Sequence, residues 1–163
     1  MKRIITLLLV LSASFANSQA FKGKGDKKFQ VGATMQEYGT GIAATIDFGA
    51  GENISYGFST SYLLNTTTKA GTPKFSDKFN AKARFSANIG NVLNISDKLD
   101  IYPGLDLGLR NFGAHLGARY FFTDGFGIYT EAGIPLAKYD SNVIGYERFN
   151  NQFVFQIGAS FNL

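Results

Sequence analysis

Phe79-Asn80-Ala81-Lys82-Ala83-Arg84-Phe85-Ser86-Ala87-Asn88-Ile89 decides the fold. Every second residue is apolar, and every residue between is polar or charged. Successive side chains of a β-strand point to opposite faces, so this stretch is a strand with one apolar side and one charged side. It is also long. Globular strands average about five or six residues, whereas a tilted strand that crosses a bilayer needs about 9–11.

The same alternation extends in both directions. Upstream, Phe29, Val31, Ala33 and Met35 oppose Lys28, Gln30, Gly32 and Thr34. Ile42, Ala44, Ile46 and Phe48 oppose Gly41, Thr45 and Asp47, and Ile54, Tyr56, Phe58, Tyr62 and Leu64 oppose Ser55, Gly57, Ser59 and Ser61. Downstream, Leu99, Ile101, Leu105, Leu107 and Leu109 oppose Asp100, Asp106, Gly108 and Arg110. Phe112, Ala114, Leu116, Ala118 and Tyr120 oppose Gly113, His115, Gly117 and Arg119. Phe126, Ile128, Ala132 and Ile134 oppose Gly127, Tyr129, Glu131 and Gly133, and Phe153, Phe155, Ile157, Ala159 and Phe161 oppose Gln152, Gln156, Gly158 and Ser160. One such segment is a weak signal, but its repetition along the chain predicts an all-β, antiparallel up-and-down barrel of about eight strands.

The polar face is rich in Gly and Ser, which suit the cramped lumen of a barrel of about eight strands. The opposite face carries Phe, Leu and Ile, which suit lipid. The competing reading, a soluble lipocalin-like binding barrel in the periplasm, requires the faces to be inverted. Turns follow the pattern. Gly49-Ala50-Gly51-Glu52, Ser96-Asp97-Lys98 and Thr123-Asp124-Gly125 read as short turns on one side. Residues 37–40, a long stretch 65–78, a tight turn at Asn111 and a long stretch 137–150 fall on the other. Short periplasmic turns and long outer loops are the expected asymmetry, with both termini in the periplasm.

The chain opens with Met1-Lys2-Arg3, then an apolar run from Ile4 to Leu11, then small residues up to Ala20. This is the three-part pattern of a secretory signal peptide, cut before Gln19 or as late as Phe21. The expected division is therefore 1–18 signal peptide and 19–163 barrel domain. Losing Lys2 and Arg3 reduces the 16 basic residues to 14 against 12 acidic ones, too small a surplus to argue for nucleic acid. Lys22, Lys24, Lys27 and Lys28 read as a solvated basic tail. The chain has no cysteine, which excludes disulfides, thiolate catalysis and Cys-based metal sites.

Three segments carry a family resemblance: the run Leu99 to Leu109, the run Gly127 to Gly133, and the terminal strand ending Phe161-Asn162-Leu163. By these the chain resembles the small outer-membrane β-barrel superfamily of OmpX-type and OmpA-type transmembrane domains. Ala20-Phe21-Lys22-Gly23-Lys24-Gly25-Asp26 also resembles a narrower family of uncharacterised barrels. The resemblance implies a Gram-negative outer membrane, contact with its lipid and lipopolysaccharide, and a terminal strand read by the barrel-assembly machinery. That strand commonly ends in an aromatic residue; here Leu163 stands last and Phe161 precedes it on the same face.

The polar face offers one candidate cluster. A hairpin around Asp124 makes Arg119 and Glu131 diagonal neighbours, within reach of long side chains. A turn around Asn111 sets His115 nearly opposite Asp106, and Arg84 lies within reach of Asp106 as well. Arg84, Asp106, His115, Arg119 and Glu131 are thus expected to fill the lumen as paired charges, since a buried charge left alone is costly. The sharper alternatives are a gated pore and a proton-sensitive switch at His115. An enzyme is not expected: His115 is the only histidine, and no nucleophile is evident beside it. No cofactor and no metal-ligand spacing is indicated. On the outer loops, Lys69, Lys74 and Lys78 are candidates for lipopolysaccharide phosphates. Tyr139, Tyr146 and Arg148 are candidates for a partner, against the plainer reading of solvated loops. The expectation is a monomeric barrel with a structural or surface-interaction role; the alternative is a narrow passive channel for small solutes.

Overall fold

The computed structural model describes residues 19–67, 72–140 and 145–163, so the expected signal peptide and Lys69 lie outside the described residues. Eight strands run in sequence order: β1 (Lys27–Gln36), β2 (Gly39–Gly49), β3 (Ile54–Thr66), β4 (Phe79–Ala87), β5 (Leu99–Gly108), β6 (Asn111–Phe121), β7 (Phe126–Lys138) and β8 (Val154–Asn162). Each pairs antiparallel with its neighbour. β8 returns to β1 through pairs such as Phe29↔Phe161 and Val31↔Ala159, which closes the barrel and removes every free edge.

The faces fall as the alternation requires. Phe58 (59 % exposed), Leu107 and Leu116 stand outside, while Asp47, Arg84, Asp106, Arg119 and Glu131 are buried in the lumen. Large apolar side chains from every strand stand on the outside of the wall. Two bulges adjust the register, at Thr40/Gly41 and at Phe112/Gly113. The second lies opposite Pro135, which has no N–H to give to the ladder.

The connections correct several expectations. The β5–β6 turn is centred on Leu109 and Arg110, because Leu107 pairs with Phe112. Asn111 is the first residue of β6, not the turn, and Leu109 lies beyond the end of β5. Residues 88–98 are not a short turn: they carry a helical turn, Gly90–Leu93, that ends at Asn94 in the left-handed region (φ 49°). The long stretch 65–78 is shortened from both sides, since β3 runs to Thr66 and Phe75–Lys78 form a helical turn. That turn is capped by Asp77, whose Oδ2 accepts from the Lys74 N–H (2.8 Å).

The basic segment after residue 18 is no solvated tail. Ala20 and Phe21 are buried. The Ala20 N–H donates to the Asp97 carbonyl (2.6 Å), and Asn91 Nδ2 donates to that of Phe21 (3.2 Å). Gly23 (φ 84°) and Gly25 (φ 87°) bend the chain back, so that Gly25 and Asp26 exchange hydrogen bonds with Gly49. Lys28 points into the lumen, with its Nζ 2.5 Å from Asp26 Oδ2 and 5.3 Å from the centre of the Phe121 ring. Lys22, Lys24 and Lys27 remain exposed.

Candidate functional site

The lumen is filled by two linked layers of polar side chains. In the first, Arg119 on β6 reaches Asp100 on β5 (Nη2 to Oδ2, 2.8 Å), Asp47 on β2 (Nη1 to Oδ2, 3.4 Å) and the Asn88 carbonyl oxygen (Nη2 to Oδ1, 2.9 Å). Arg84 on β4 forms a two-pronged pair with Glu131 on β7, at 2.7 and 3.3 Å, and its Nε lies 3.5 Å from Asp47 Oδ1. Asp47 therefore bridges both guanidinium groups. Such planar, two-oxygen pairing is among the strongest forms of charged hydrogen bonding.

Tyr102 sits between the two arginines. Its ring centre is 4.7 Å from the Arg119 Cζ and 5.8 Å from that of Arg84, and its hydroxyl accepts from Gln30 Nε2 (3.1 Å). A guanidinium over an aromatic ring is attracted by the ring's electron density. Room for the ring comes from Gly117: a Cβ there would lie 2.1 Å from Tyr102 Cζ. Gly104 does the same for His115, where an added Cβ would lie 2.4 Å from Cε1.

The second layer is a chain of hydrogen bonds across β4, β5 and β6. Ser86 Oγ is 3.0 Å from His115 Nε2, His115 Nδ1 is 2.9 Å from Asp106 Oδ1, and Lys82 Nζ is 3.3 Å from Asp106 Oδ2. A carboxylate only accepts, so Nδ1 carries hydrogen and, in the neutral ring, Nε2 accepts from the serine hydroxyl. The order Ser–His–Asp matches that of a hydrolase triad. Ser86, however, is 0 % exposed and is packed inside the barrel. As built, the arrangement fixes one tautomer and one orientation of His115.

The sequence reading and the geometry differ in their pairings. His115 does meet Asp106, although its register partner is Gly104 and the contact is diagonal. Arg119 and Glu131 are diagonal in register, since Arg119 pairs with Tyr129, yet their charges go elsewhere. Glu131 takes Arg84, and Arg119 takes Asp100 and Asp47. Asp47, Asp100, Lys82, Ser86 and Tyr102 are members the sequence reading passed over. The first four already stood on the polar side of their strands, so face assignment was the available signal.

The mouths are packed as well. At the end carrying Leu163 and the start of β1, Phe21, Lys28 and Phe121 are buried. At the opposite end, the 3-10 turn Gly145–Arg148 leads into buried Phe149, Asn150 and Asn151. Asn111 Nδ2 donates to the Asn150 carbonyl (2.8 Å) and to Asn151 Oδ1 (3.0 Å), Asn150 N–H donates to Gln36 Oε1 (3.1 Å), and Gln152 Nε2 donates to the Glu37 carbonyl. The space between Ser59, Asn80, Lys82, Asn150 and Gln156 amounts to about 10 Å³.

The loop candidates separate. Lys74 and Tyr139 are exposed, and Lys78 Nζ lies 5.1 Å from the centre of the Tyr62 ring. Tyr146 packs on Phe149 (6.1 Å between ring centres), and the Arg148 guanidinium lies 5.7 Å from the Tyr38 ring centre. The Arg148 contact ties this turn to the β1–β2 connection. Residues 11–163 match the model of a protein family described as a family of unknown function (DUF6646). No curated protein matches the chain.

Proposed function

The chain belongs to the DUF6646 family, and from that premise we propose that it is an outer-membrane β-barrel of a Gram-negative bacterium, exported by its N-terminal signal peptide, with a closed lumen and a structural or surface-interaction role. One observation carries the reading: large apolar side chains cover the outside of a closed barrel whose inside holds paired charges. Water would penalise that exterior, and lipid rewards it. A barrel satisfies its backbone internally, which is what a strand in hydrocarbon must do. The membership in the superfamily of OmpX-type and OmpA-type domains is part of this proposal, and the strand count, the up-and-down order and the terminal strand, where Phe161 packs against Phe29 and Phe126, support it.

The lumen supports closure over conduction. Near the mouth opposite Leu163, the space beside Asn150 and Gln156 is about 10 Å³, at the threshold for a single water molecule. A lipocalin-like binder needs an apolar lumen, and here that space belongs to Arg84, Arg119, Asp47 and Glu131. Ser86, His115 and Asp106 take a structural part, so no enzymatic activity is assigned. Interaction then falls to the loops opposite the termini, with lipid and lipopolysaccharide as the surroundings and a monomer as the working unit. The test is fractionation followed by planar-bilayer recording. The protein should require detergent for extraction and insert without conducting. Release without detergent overturns the membrane reading; steady single-channel steps overturn the closed lumen.

A further inference from the structure

The outer wall is not uniformly bulky. Ala44, Thr60 and Ala81 are register partners across β2, β3 and β4, and form a row of small outward residues. The row ends at the large side chain of Leu109, whose N–H donates to the Ala81 carbonyl (3.1 Å). On one side stands a ridge of Ile46 and Phe58, on the other a ridge of Tyr62 and Phe79. The trough between has a volume of about 650 Å³. Thr60 adds no free polarity, because its hydroxyl donates to the Asn80 carbonyl (3.1 Å).

Beyond the Tyr62–Phe79 ridge lies a basic rim. Phe75 stacks between Tyr62 and Phe79, at 5.1 and 5.5 Å between ring centres, and its helical turn carries Lys78 over Tyr62. Arg110 joins them, with Nη2 donating to the Ser76 carbonyl (2.6 Å), and it directly follows Leu109 at the end of the trough. Lys74 stands exposed beside them. The turn also holds one carboxylate, Asp77, which accepts from the Lys74 N–H, so three cations stand here against one acid. The sequence of features is apolar trough, aromatic belt, cations, ordered outward from the middle of the wall toward the end opposite the termini.

We infer that this trough and rim form a lipid site for a phosphorylated, acylated glycolipid of the outer leaflet, of the lipid A type. An acyl chain occupies the trough, and Lys74, Lys78 and Arg110 take the phosphate. The inference rests on the membrane reading and adds to it a defined site on the wall, with a place for the acyl chain and Arg110 as a further phosphate contact. Charge complementarity selects the anion: a cation near an anionic lipid surface strengthens binding about fivefold. The end opposite the termini selects the outer leaflet, where lipopolysaccharide resides.

The experiment uses the full mature chain refolded in detergent micelles. Native mass spectrometry follows retention of bis-phosphorylated lipid A, dephosphorylated lipid A, phosphatidylglycerol and phosphatidylethanolamine. Lipid A should be held at least about fivefold more tightly than each of the others. Lys78→Glu with Arg110→Glu should abolish the preference for phosphate. Ala81→Phe should weaken retention of every acylated ligand by filling the trough, and Ala44→Leu provides a milder version if Ala81→Phe does not fold. Equal retention of lipid A and phosphatidylglycerol, or no loss in the folded trough variant, overturns the inference. Wild-type protein that inserts into bilayers yet shows no preference sinks this site alone; protein that never enters the detergent phase sinks the membrane reading with it.

Discussion

Replacing Glu131 by Gln isolates the cost of breaking the lumen network. Glu131 holds Arg84 through two contacts, at 2.7 and 3.3 Å, and both side chains are almost wholly buried. The amide is nearly isosteric and can still accept one hydrogen bond but has lost the charge, so Arg84 keeps only one carboxylate contact, Asp47, 3.5 Å from its Nε. Removing one partner of a buried pair costs about 3–5 kcal/mol, because the remaining charge stays desolvated. The residual contact to Asp47 places the expected loss at the lower end, about 3 kcal/mol. The assay is reversible urea unfolding of the barrel in detergent or lipid, followed by the gel-mobility difference between folded and unfolded forms. Arg84→Met combined with Glu131→Leu supplies the control. With both charges gone no guanidinium is left unpaired and Asp47 keeps Arg119, so stability should return to within about 1 kcal/mol of the wild type. A Glu131→Gln barrel as stable as the parent, or a double variant worse than the single, would refute the claim that the lumen is held by mutual charge satisfaction.

Other consequences are open to measurement. Phe58→Lys should cost about 2–4 kcal/mol in a bilayer, the price of a cation mid-wall, whereas a water-exposed Phe58 could be replaced at almost no cost. Gly117→Ala drives a methyl into the Tyr102 ring and should destabilise by about 1–3 kcal/mol, while Gly51→Ala, with nothing within 4 Å, should stay within about 0.5 kcal/mol. Folded protein should not react with a fluorophosphonate probe at Ser86, and Ser86→Ala should lose about 1 kcal/mol; a stoichiometric adduct would make the Ser86–His115–Asp106 chain a reactive site. Hydrogen exchange should find the Ala20 and Gly25 amides protected in the folded barrel, and exchange as fast as in the unfolded chain would restore the solvated-tail description.

The strands were legible because alternation is a local property. Phe79 to Ile89 announces its two faces whatever it pairs with, and eight such stretches with turns between them leave antiparallel neighbours as the simplest arrangement. Which face is inward was legible too, from bulk: Gly and Ser fit a narrow lumen and Phe and Leu do not. The site was half legible. That Arg84, Asp106, His115, Arg119 and Glu131 share the lumen followed from their parity. Their partners did not, because opposite walls of a narrow barrel are separated by side-chain reach, not by sequence. Arg84 crosses the lumen from β4 to Glu131 on β7, and Arg119 crosses from β6 to Asp47 on β2.

The segment after residue 18 shows the same limit in another form. Lys22, Lys24 and Lys27 give it the composition of a soluble tail, and composition says nothing about a vacant mouth that Phe21 can fill. Sequence alone determined the strand periods, the facing of each side chain and the kind of surface turned outward, because each depends on a residue and its near neighbours. Only the closed barrel decided the ion pairs, the Ser86–His115 contact, the covered mouths and the trough beside Ala81. Those depend on strand registers, and a shift of two residues keeps every face while exchanging every partner.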